Sequence, residues 1–89
     1  MRSGELELRN RLGLHARASA KLVHCASQYD CEVRIAYGDQ EVEGKSILGL
    51  LLLAAPCGET VTLRCDGEDE DACFDALREL IESRFGEGG

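Results

Sequence analysis

The 89-residue chain has no apolar run long enough to cross a bilayer; its longest, from Ile47 to Pro56, is about half what a membrane helix needs. The opening segment, MRSGELELRN, is polar and charged, so no export signal is expected and membrane insertion is not. Clustered Lys and Arg are missing too. Ten basic residues are scattered among 17 acidic ones, for a formal net charge of −7. That balance excludes nucleic acid as the expected partner, because phosphate contacts need concentrated positive charge. The five cysteines, Cys25, Cys31, Cys57, Cys65 and Cys73, include no Cys-x-x-Cys pair. No metal site or cofactor is therefore expected from spacing. An odd count without an export signal fits reduced thiols in the cytoplasm, most of them serving as small apolar residues. Repeats, low-complexity tracts and internal linkers are absent, so the chain reads as one domain. A domain of this size buries only about 60–65% of its unfolded surface. It is better suited to presenting a surface than to enclosing a reaction.

What is present is a regular alternation of patterns. Glu5 to Arg9 alternates polar and apolar residues, as a half-buried strand does. A loop from Asn10 to His15 follows, with Gly13 supplying backbone freedom. Ala16 to Gln28 has helical spacing, with Ala18, Leu22, Val23, Cys25 and Ala26 on the inner face. Arg17, Ala20, Lys21, His24 and Ser27 form the outer face. Cys31, Val33, Ile35 and Tyr37 mark a second strand, Gly38-Asp39 a turn, and Gln40 to Glu43 a short third strand with Val42 inward. Ser46 is placed to cap a short helix over Ile47 to Leu53, which Pro56 closes off. Val61, Leu63 and Cys65 mark a fourth strand. Asp69, Glu70 and Asp71 open a last helix whose expected buried stripe is Ala72, Cys73, Leu77, Leu80 and Ile81. Arg84 is expected in its last turn and Gly86 as its stop. The tail, Glu87-Gly88-Gly89, is expected to be flexible. The order β-α-β-β-α-β-α predicts an α+β fold: a four-stranded antiparallel sheet covered on one face by three helices.

The stretch Gly13-Leu14-His15-Ala16-Arg17 carries the chemistry. A histidine before a helix is ordinarily a solvated residue or a cap. Here the first amides of the helix, at Ala16 and Arg17, can point toward a group carried on His15, and helix N-termini bind anions. The Arg17 guanidinium suits phosphate geometry. Imidazole titrates nearest neutrality of the side chains, so a neutral nitrogen is available as a nucleophile toward phosphorus.

Asn10 to Arg17, NRLGLHAR, resembles the active-site motif of the HPr family, the histidine-containing phosphocarriers of the bacterial phosphotransferase system. Lys45 to Leu50, KSILGL, resembles that family's second motif, which holds a regulatory serine. The resemblance extends over about Glu5 to Phe85 and implies an open-faced β-sandwich ordered over that span. It also implies that enzyme I donates a phosphoryl group to Nδ1 of His15 and that an enzyme IIA component receives it, in sugar transport. Ala16 would contribute its amide and Arg17 its charge. The protein would be a carrier without catalysis of its own, though such carriers are sometimes classed as transferases. An HPr kinase/phosphorylase is implied as a possible modifier of Ser46, whose reading from spacing alone is a helix cap. Partner docking would fall on Ala20, Lys21, His24, Ser27, Ile47, Leu48, Gly49 and Leu51, with Leu50 and Leu53 turned to the interior. The sequence departs from the family at Ala18, where proline is usual. A nitrogen-related or regulatory branch of the same system, and a ligand-binding module of the ferredoxin-like type, are the alternatives. A cytoplasmic monomer is expected.

Overall fold

Residues 1–86 are described by the computed structural model. The strands are β1 (Arg2–Glu7), β2 (Glu32–Tyr37), β3 (Gln40–Glu43) and β4 (Thr60–Asp66). The helices are α1 (Ala16–Ala26), α2 (Ile47–Leu53) and α3 (Glu70–Glu82). The sheet runs β1-β4-β2-β3, and each neighbouring pair is antiparallel. Directly paired residues point to the same face. Leu6 lies opposite Val61, Ile35 opposite Leu63 and Val33 opposite Cys65. All six are buried, and the three helices pack over that side of the sheet. The expected element order and layering are those observed.

Element edges differ from expectation where packing overrides local pattern. β1 begins at Arg2, because it pairs with β4 from Arg2 opposite Cys65 to Glu7 opposite Thr60. Gly4 has no apolar side chain to betray this. Its place in the strand is set by the Phe74 ring, which a Cβ there would meet at 2.9 Å. Beyond Glu7 the pairing continues irregularly, with the Leu8 amide on the Glu59 carbonyl at 2.9 Å. Helix α1 ends at Ala26, two residues short of Gln28. The Gln28 and Tyr29 amides bond back three residues, to Cys25 and Ala26, and so tighten the last turn.

In α3 the buried stripe is Cys73, Phe74, Leu77 and Ile81. Ala72, expected inside, is exposed, and Leu80 is half-buried. Phe74 claims the inner position: its ring packs on Gly4 and lies under the Arg2 guanidinium, 4.5 Å from the ring centre. Arg84 lies outside the helix, which ends at Glu82. Arg84 and Phe85 both have left-handed backbone, with φ of 61° and 55°, and turn Phe85 into the core. Gly86 extends that turn rather than stopping a helix. Lys21 of α1 donates to the Phe85 carbonyl at 2.6 Å and ties this turn to α1. The tail Glu87-Gly88-Gly89 lies outside the described residues. Among the described residues no helix is long and apolar enough to cross a membrane.

Candidate functional site

The loop between β1 and α1 is shaped by its own short bonds. Asn10, fully buried, donates from Nδ2 to the Gly13 carbonyl at 2.7 Å, and its main-chain carbonyl accepts from the Gly13 amide at 3.1 Å. Gly13 has φ of +63° and lies flat on Ala55 and Pro56; a Cβ there would come within 2.8 Å of the Pro56 α-carbon. The next amide, of Leu14, donates to the Ala55 carbonyl at 3.0 Å. Ala55 is turned toward the loop by Ala54, whose left-handed backbone (φ 52°) ends α2. Leu14 is buried, and its carbonyl accepts from the Ser19 hydroxyl at 3.3 Å.

These clamps deliver His15 to the N-cap position of α1 with extended backbone. Its carbonyl accepts from the Ser19 amide at 2.9 Å, the first bond of the helix. Its Nδ1 accepts from the Arg17 amide at 3.3 Å. A ring nitrogen that accepts carries its lone pair rather than a proton, so in this arrangement Nε2 holds the hydrogen. The ring is half-buried, while Ala16 and Arg17 are exposed beside it. His15 therefore caps the helix with its imidazole ring at the surface. The Ala16 and Arg17 amides belong to the first turn, where helical geometry provides no acceptor. Ala18 is fully buried at the third helical position, and its amide belongs to the same turn. Alanine and proline are equally compatible with that role.

Ser46 caps α2, its hydroxyl accepting from the Gly49 amide at 3.0 Å. Leu50 and Leu53 are buried, whereas Ile47, Leu48 and Leu51 are exposed, as expected. Helices α1 and α2 pack side by side, which sets this apolar strip next to the outer face of α1. There Ala20, Lys21, His24 and Ser27 are all exposed. Gly49 is half-buried and allows α2 to approach β3, since a Cβ would touch Val42 at 3.2 Å. Two further apolar side chains escaped the sequence reading: Leu12, 65% exposed in the His15 loop, and Leu52, 69% exposed. Leu12 lies in a loop without periodicity, and Leu52 in an unbroken leucine run where spacing cannot separate faces. Asn10 and Ser19 were missed as loop clamps because polarity alone places such residues outside, and Ala55 because nothing local to it signals a partner 41 residues away.

The comparisons agree with this geometry. A family model described as the PTS HPr component phosphorylation site matches residues 2–83. The phosphocarrier protein HPr of Cupriavidus necator is 52% identical over 79 residues, which cover 89% of each chain. The phosphocarrier protein NPr of Shewanella violacea is 45% identical over 88% of this chain and 86% of its own. The crystal structure of HPr-C-His from Thermoanaerobacter tengcongensis superposes with a TM-score of 0.96 at 37% identity, covering all of both chains. With four strands, three helices and the presented histidine all inside the match, the chain belongs to the HPr family of phosphocarriers of the phosphotransferase system.

Proposed function

We propose that His15 receives a phosphoryl group on Nδ1 from phosphorylated enzyme I and passes it to an enzyme IIA component. The observation that supports this reading is the Arg17 amide on Nδ1 at the start of α1. The Nδ1 lone pair attacks phosphorus as the donor's bond to the group breaks. The 3.3 Å amide contact is long enough to give way at little cost. The phosphoryl oxygens then take up the Ala16 and Arg17 amides, the helix dipole and the Arg17 guanidinium. No barrier for a small substrate is lowered, so the protein acts as a carrier, in the cytoplasm and as a monomer.

Ala20, Lys21, His24 and Ser27 of α1, with Ile47, Leu48, Gly49 and Leu51 around α2, form the docking face. Arg17 and Lys21 supply positive charge at its rim, which suits acidic partner surfaces. Phosphorylation of Ser46 by an HPr kinase/phosphorylase would leave the fold standing, because a phosphate at a helix N-terminus is tolerated. Its charge would lie beside the face that enzyme I uses.

Transfer from labelled phosphoenolpyruvate through enzyme I tests the proposal. Label on the protein should be acid-labile, as a phosphohistidine is, and absent from a folded His15→Ala variant. Undiminished labelling of that variant would overturn the assignment. The NPr relative favours a second reading, service in a nitrogen-related branch. Passing the label to enzyme IIA components of the sugar and nitrogen branches in parallel separates the two.

A further inference from the structure

The missing Cys-x-x-Cys pair hides a cluster that only the fold assembles. Cys31 leads into β2, Cys65 lies in β4 and Cys73 in the opening turns of α3. Their sulfurs lie within 4.8 Å of one another, and all three residues are buried. The phosphoryl site uses none of them. We propose that Cys31, Cys65 and Cys73 form a three-coordinate thiolate site for a thiophilic monovalent ion, copper(I).

The donor set selects the ion. Sulfur ligands favour soft cations, whereas hard ions such as magnesium and calcium require oxygen. Structural zinc sites close with four ligands, and among the described residues the cluster supplies three. A planar ion at about 2.3 Å from each sulfur would set the sulfurs about 4 Å apart, so the trio closes by less than about 1 Å. Thiols must give up their protons to bind a metal, which favours an ion that binds sulfur strongly. Binding replaces three S–H bonds with three Cu–S bonds, releases three protons to solvent and transfers no electron.

The approach to the cluster is acidic. Cys31 retains 9% exposure and underlies the turn at Gly67. Asp30 and Asp69 are joined beside this turn, the Asp30 amide donating to the Asp69 carboxylate at 2.8 Å. Asp66 and Glu68 flank the same turn. This local charge raises cation concentration at the mouth.

Anaerobic titration of the intact protein with copper(I) held by bicinchoninate tests the site, read by loss of the chelate colour and by thiolate-to-copper absorption in the ultraviolet. The wild type should take a single copper per chain, and Cys25→Ser/Cys57→Ser should behave identically. Cys31→Ser and Cys73→Ala, each checked for native circular dichroism, should bind more than about 100-fold more weakly, beyond what loss of an outer-sphere partner costs. X-ray absorption should find sulfur alone around the metal. Failure of the wild type to compete with the chelator overturns the proposal. So does full binding by both Cys31→Ser and Cys73→Ala, loss of binding in Cys25→Ser/Cys57→Ser, or preference for zinc(II).

Discussion

Gly13 meets two demands at once. Its φ of +63° is a conformation that side chains adopt rarely, and a methyl group there would collide with the Ala55 carbonyl. Gly13→Ala should therefore destabilise the fold by more than about 1 kcal/mol, measured by urea unfolding. It should also slow phosphoryl acceptance, because the clamp that positions His15 loosens. Tyr37 offers a residue-scale pH test. Its hydroxyl donates to Glu59 at 2.9 Å, and this bond raises its pKa above the ordinary tyrosine value. A raised folded-state pKa means that the pair contributes fully below the unfolded value and is lost as pH rises through the folded one. Ultraviolet titration of Glu59→Gln should show the Tyr37 midpoint moved down. The stability gap between the two proteins should close at strongly alkaline pH. Legibility at this scale was uneven. His15, Arg17 and Ser46 stand in local motifs and were readable. Asn10 and Ser19 are polar residues fully buried by contacts within their loop, and polarity alone places such residues outside.

Helix α2 shows how one short element divides its labour. Ser46→Ala removes the hydroxyl that holds the Gly49 amide and should cost about 1 kcal/mol in thermal or denaturant melts. Ser46→Asp keeps an acceptor at the cap and should melt near the wild type, while lowering the rate of phosphoryl transfer from enzyme I. The outer strip is separable from the core. Leu48→Glu with Leu51→Glu should weaken enzyme I binding, measured by calorimetry, and leave the melting temperature nearly unchanged because both side chains are exposed. The helix was legible because its cap and the apolar run behind it are local. The ends of α3 were less so. Phe74 instead of Ala72 faces inward because Gly4, some seventy residues earlier, leaves room for its ring. No window along the sequence contains both residues.

For the whole molecule, alternation in four strands and two amphipathic helices was enough to reveal the layering. Strand order was not, since pairing β1 with β4 depends on which edges remain once the helices have crossed the sheet. The cysteine cluster was hidden for the same reason. Phe74 ties these levels together, buried between α3 and β1 beneath Arg2 and Arg78. Phe74→Ala should cost about 3–5 kcal/mol, measured by urea denaturation, and should also loosen the β1 edge.

The bond from Leu14 to Ala55 and the pairing of β1 with β4 have a consequence for synthesis. On a growing chain α1 and the β2–β3 hairpin can form early, since their contacts are local. The strand that must receive β1 is made only at Thr60–Asp66, and contacts so distant in sequence form late. Until then β1, which leads into the His15 loop, has no strand to hold it. A fragment released before this point carries His15 but not its setting, and should take up no label from phosphorylated enzyme I until β4 is present.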